Sequence, residues 1–143
     1  MQDRFKFRAV LHQNKYEEYQ LEKFSHQRIF NVMSINLGIE YSTIGIIAEY
    51  PNGDWAIREI DDKDIDLIQS TGLKDKNGKL IYEGDRVYID CEGETAIIKW
   101  SDDLARFTIH FEDEAVFADF DNYYSKELEV IGNIYENPEV PKE

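Results

Sequence analysis

Apolar and polar residues alternate with a period of two from Phe5 to Leu11: Phe5, Phe7, Ala9 and Leu11 share one face, Lys6 and Arg8 the other. This is the pattern of a half-buried strand. "HQNK" then reads as a turn, and "YEEYQLEKF" as a short strand or an irregular return. "RIFNVMSINLGIEY" is extended, with Ile29, Met33, Ile35, Leu37 and Ile39 on one side. In "STIGIIAEYPNGDWAIREI" two β-prone arms flank "PNGD", where Asn52 and Gly53 suit the positive φ angles of a hairpin turn. "DDKDIDLIQ" leaves two readings open. Asp61 or Asp62 can cap one helical turn, and Ile65 and Leu67 equally suit a short strand.

The second half is a run of short strands, "RVYID", "TAIIKW", "RFTIHF", "AVFADF" and "LEVIGNIY", separated by the polar turns "CEGE", "SDDLA" and "EDE". Phe107, Ile109 and Phe111 alternate with Thr108 and His110. Such close spacing predicts a meander that closes into a small antiparallel barrel. The expected fold class is all-β, with two small β subdomains at residues 1–70 and 71–138 and a frayed tail at 139–143, where the chain ends in "ENPEVPKE" with two of its three prolines.

The chain has 143 residues, enough for one domain or two small subdomains. Its formal net charge of −14, from 30 acids against 16 bases, weighs against direct nucleic-acid binding, which needs Lys and Arg to neutralise phosphates. The cationic stretches "RFKFR" and "KDKNGK" are short. An acidic surface suits a basic partner or mimicry of nucleic-acid charge. Cys91 stands alone, which excludes an internal disulfide and fits a reducing cytoplasm. No apolar run reaches spanning length, and "MQDRFKFRAV" has no apolar signal core, so no membrane association is expected.

"TGLKDKNGKLIYEGDRVYID", Thr71 to Asp90, invites a ligand-loop reading, but its spacing points to a structural corner. Asn77 and Gly78 supply a tight turn, Asp75 can accept an amide inside the bend, and Gly84 with Asp85 repeats the device. A calcium loop counted from Asp75 would put a bidentate Glu where Arg86 stands. A phosphate loop would need a second glycine next to its lysine, and a Ser or Thr for magnesium.

The same residues carry a resemblance. "STGLKDKNGKLIYEGDRV", with "KFRA" near the start and "EVIGNIYENPE" near the end, resembles the YopX family of phage and prophage proteins over the whole chain. Where the family often has an aromatic after "KFRA", this chain has Val10. The resemblance implies an all-β protein of phage or prophage origin whose C-terminal half is an SH3-like small barrel. It supplies no catalytic residues to carry over.

His12, His26 and His110 lack metal-ligand spacing, and Cys91, set among acids in a turn, is a poor nucleophile because negative neighbours disfavour the thiolate. No nucleophile elbow occurs. No catalytic, cofactor or metal site is therefore expected, and the protein is read as a non-enzyme. Among the aromatics Trp100, Phe107, Phe111, Phe117, Phe120, Tyr123 and Tyr124, the phenylalanines suit the core, and one of the adjacent Tyr123 and Tyr124 should be exposed. The acidic clusters read first as solvated turns; the other reading is that Asp102, Asp103, Glu112, Asp113 and Glu114, on loops at one end of the barrel, make a negative patch for a basic partner. These acids and the two tyrosines are the candidate partner-binding residues. The function expected is that of an accessory protein in the host bacterial cytoplasm, acting by protein contacts with a basic partner or with its own copies. The alternative is an acidic nucleic-acid mimic that inhibits a host nucleic-acid-binding protein.

Overall fold

The computed structural model describes residues 6–12, 15, 18, 19, 21, 29–112, 117–121 and 125–136. Within these, eleven strands form antiparallel pairings in two sheets, so the protein is all-β. The chain divides into two compact units, one of Phe7–Ile68 and one of Met1–Lys6 with Gln69–Glu143. The expected tail at 139–143 lies outside the described residues.

In the Phe7–Ile68 unit, β1 (Phe7–Leu11), β2 (Ile29–Asn36), β3 (Thr43–Glu49) and β4 (Trp55–Asp61) stand in the order β4-β3-β2-β1, followed by β5 (Ile65–Lys74), which runs on into the other unit. Leu11, Leu21, Phe30, Ile46, Ala48 and Ile60 make its core. The "PNGD" hairpin forms as expected, with one difference. Gly53 alone takes a positive φ, and Asn52 instead uses its side-chain oxygen to accept from the Asp54 amide at 2.9 Å. The ambiguous segment after β4 contains both of its readings in series. Asp61 caps a single 3₁₀ turn, Asp62–Asp64, and the strand β5 follows at once.

β2 departs from its expected face. Burial alternates along it with Met33 and Ile35 on the exposed face, the strand ends at Asn36, and Leu37 and Ile39 beyond it are exposed too. Phe30 and Val32 reach the core instead. Beyond β2, Asp64 is buried and accepts from the Tyr19 hydroxyl at 2.6 Å, while Tyr19 Oη accepts from the Asp61 amide at 3.2 Å. Tyr19, then Lys15, hold the Asp64 carboxyl below the usual carboxylate range against the opposing effect of burial.

The other unit holds the end of β5, a short β6 (Leu80–Tyr82) that the alternation pattern does not reveal, and β7 (Asp85–Ile89), β8 (Glu94–Ser101), β9 (Arg106–Phe111), β10 (Phe117–Asp119) and β11 (Leu128–Asn133). The last five form one sheet in the order β10-β9-β8-β7-β11, a meander whose final strand returns beside its first. Ile81, Val87, Ile89, Ala96, Ile98, Ile109 and Leu128 fill its core, with Phe107, Phe111 and Phe120 packed against it. These phenylalanines are core residues, as their alternation predicts.

The Thr71–Asp90 segment is a corner tied by its own carboxylates. Asp75 is buried, and its Oδ1 accepts from the amides of Asn77 and Lys79, both at 2.9 Å. Its Oδ2 accepts from the Val130 amide at 2.9 Å, and the Lys76 amide donates to the Leu128 carbonyl, so the turn is bonded along β11. Asp85 Oδ2 accepts from the Tyr82 amide at 2.8 Å. Gly84, at φ +85°, lies so close to the Tyr135 ring that a Cβ there would sit 2.5 Å from it. The Ile134 amide donates to the Gly84 carbonyl, and Asn133 pairs with Asp85. "KDKNGK…IYEGD" and "EVIGNIYENP", distant in sequence, are therefore one piece of structure.

Candidate interaction surface

The polar side chains of the β8–β9 hairpin come nearest to a site. Strand pairing runs to Ser101 opposite Arg106, and the four residues between them reverse the chain. Ala105 takes φ +53°, and the Leu104 amide donates to Ser101 Oγ at 3.3 Å. This turn leaves Asp102 and Asp103 exposed, beside Leu104 at 44% exposure. Behind them Trp100 stands edge-on to Phe107, ring centroids 5.1 Å apart, and its indole N–H donates to Asp102 Oδ1 at 2.9 Å. One carboxylate of the tip is thereby fixed in direction by an indole that is itself held on a half-buried ring.

Glu83, which sequence reasoning passed over as part of the corner, also feels this tip. Burial first, and then the negative charge of Asp102, hold its carboxyl above the usual carboxylate range. No spacing rule links Glu83 to Asp102; only the tertiary fold brings them close enough to interact.

Glu112 stands elsewhere than the expected patch. Its side chain is 3% exposed and accepts from Arg86 Nε at 2.6 Å, with Arg86 itself 4% exposed. Its other oxygen, Oε2, is buried without a hydrogen-bond partner. Position in a polar turn suggested solvent, but β9 and β7 carry the two charges into one buried pair. Asp113, Glu114, Tyr123 and Tyr124 lie outside the described residues.

Among the described residues no three His, Cys, Asp or Glu side chains converge as metal ligands. Cys91 is exposed. His12 Nε2 lies 3.2 Å from Asp66 at the surface. His110 Nε2 lies 2.9 Å from Thr108 Oγ1, and burial, helped by Lys99, lowers its pKa. A depressed histidine favours the neutral fold, and the unfolded chain takes up the proton first, near pH 6.5. Stability from this group is complete above that pH and declines as pH falls through it. A His110→Gln variant should accordingly lose less of its urea midpoint between pH 7.5 and 5 than the parent. Equal losses would assign the acid sensitivity to other groups.

A depression of about 460 Å³, open to solvent, is lined by Gly38–Ser42 and Asp61–Lys63 in the Phe7–Ile68 unit. In it Lys63 Nζ lies 3.9 Å from Asp61 Oδ2. No helix of the described residues is long and apolar enough to cross a membrane. The molecule belongs by its fold to the all-β proteins built from two antiparallel sheets, with chemistry confined to turns and an exposed hairpin. More particularly, the chain belongs to the YopX family, whose model, described as YopX protein, matches residues 6–140. A solved structure, protein EF1440 from Enterococcus faecalis, is similar at 31% identity over 94% of this chain and 95% of that one, with a TM-score of 0.46. No curated protein matches the chain.

Proposed function

We propose that this YopX-family protein is a non-catalytic phage or prophage accessory factor, working in the bacterial cytoplasm through protein contacts, with an SH3-like C-terminal half as the scaffold. The observation that carries the reading is the β8–β9 tip. Asp102 and Asp103 are presented on a short, side-chain-anchored turn with exposed Trp100 and Leu104 beside them. Fixed carboxylates bordering an aromatic ring match a Lys- or Arg-bearing surface, because the cation meets the acids while its aliphatic stem covers the ring. The net charge of −14 adds long-range attraction to a basic partner.

The test is retention of host proteins by the tagged chain, compared with Asp102→Asn/Asp103→Asn at low and high salt. A basic protein held by the parent, released by salt and lost from the variant supports the reading. Identical retention by parent and variant overturns the assignment to this tip. If the retained protein binds DNA or RNA, and nucleic acid competes with the parent chain for it, the acidic-mimic reading takes its place.

A further inference from the structure

Among the described strands that end a sheet, β4 is the longest, and its ladder is uninterrupted. It pairs with β3 without a register shift from Trp55 to Asp61, whereas β6 and β10 have three residues each and β11 is broken by a bulge at Val130/Gly132. Its sequence, "WAIREID", has no Pro, Gly or Lys, the residues that commonly protect an edge from pairing. Trp55 is 59% exposed and Ile57 43%. An open edge with exposed apolar side chains favours another strand.

The direction of its backbone groups follows from the hairpin. The Tyr50 amide donates to the Asp54 carbonyl at 2.7 Å, which makes Tyr50 and Asp54 a hydrogen-bonded pair. Antiparallel pairs alternate, so Ala56, Arg58 and Ile60 face β3 with their N–H and C=O, and Trp55, Ile57, Glu59 and Asp61 face away from it. Two contacts agree. The outward Ile57 carbonyl accepts from Arg58 Nη1 at 3.2 Å, and the outward Asp61 amide donates to Tyr19 Oη. The edge is therefore occupied at Asp61, while the Ile57 carbonyl keeps a second lone pair.

We propose that β4 pairs antiparallel with β4 of a second copy of this chain, with the twofold axis at Ile57. Register decides the partner. An axis at Arg58 would put two guanidinium groups directly opposite and call on the Asp61 amide already given to Tyr19. An axis at Glu59 would oppose two carboxylates, and one at Ala56 would use only the Trp55 end of the edge. The axis at Ile57 sets Ile57 against Ile57 of the second copy, Trp55 against Glu59 and Arg58 against Ala56, so every outward group from Trp55 to Glu59 is bonded and no like charges meet. The edge is self-complementary in that register.

This edge shares no residue with the β8–β9 tip, so the two proposals fail separately. Attraction to a basic partner weakens with salt. Pairing of two chains of like charge strengthens with it, because screening removes their mutual repulsion. Sedimentation at high protein concentration should show a dimer that grows with salt, survives Asp102→Asn/Asp103→Asn, and falls to monomer in Ile57→Lys. Ile57→Pro gives a second check, because its lost N–H points away from β3 and the hairpin ladder stays whole. In a Cys91→Ser background, a short thiol-bridging reagent should join Ile57→Cys to itself and leave Glu49→Cys, one strand inward, unjoined. A parent that is monomeric at both salts, or a dimer unaffected by both Ile57→Lys and Ile57→Pro, overturns the proposal.

Discussion

Replacing Arg86 with methionine is expected to lower stability by about 3–5 kcal/mol, the usual cost of removing one partner from a buried ion pair. Arg86 and Glu112 are 4% and 3% exposed and meet at 2.6 Å, with Glu112 Oε2 already lacking a hydrogen-bond partner. Without the guanidinium, the Glu112 carboxylate would be left buried and uncompensated. The double variant Arg86→Met/Glu112→Leu should recover most of the loss, since two apolar residues need no mutual desolvation. Urea unfolding of the parent, both single variants and the double variant forms the cycle. Additive losses would show that the two charges are not coupled.

Asp75→Ala should cost a similar amount, about 3–5 kcal/mol, because hydrogen bonds to a charged group contribute roughly 1.5–3 kcal/mol each and are not fully additive. One carboxylate satisfies the amides of Asn77, Lys79 and Val130, and the last belongs to β11. Asp75→Asn should fall between parent and alanine, since its amide retains one acceptor oxygen. Hydrogen exchange localises the effect: the Val130 amide should lose protection along with the turn. If Val130 stays protected while stability falls, the carboxylate supports the turn alone.

Much of the fold was legible where turn chemistry and alternation agreed. "PNGD" between β-prone arms gave its hairpin, β9, β10 and β11 lie within the stretches that alternation marks, and β7 and β8 match theirs to within one residue at each end. β6 was missed because three residues are too few for a period to register. Met33 and Ile35 do share a side, but alternation alone could not say that it is the exposed one, with Phe30 and Val32 reaching the core from the other. The candidate site was less legible than the fold. Asp102 and Asp103 stand exposed in their turn, but Glu112, equally acidic and equally close to a turn, is buried against Arg86.

The sequence by itself determined what depends on neighbours along the chain: all-β alternation, the punctuation of its turns, and an acidic balance that disfavours direct phosphate binding. It also carried the family, because "TGLKDKNGK…IYEGD" and "IGNIYENP" occur together. Only the tertiary structure decided why they do so: Asp75 bonds Val130 and Gly84 makes room for Tyr135. It likewise decided which acids face water and which of the described strands end a sheet. Burial and pairing of charges depend on strands far apart in sequence, and no local period records them.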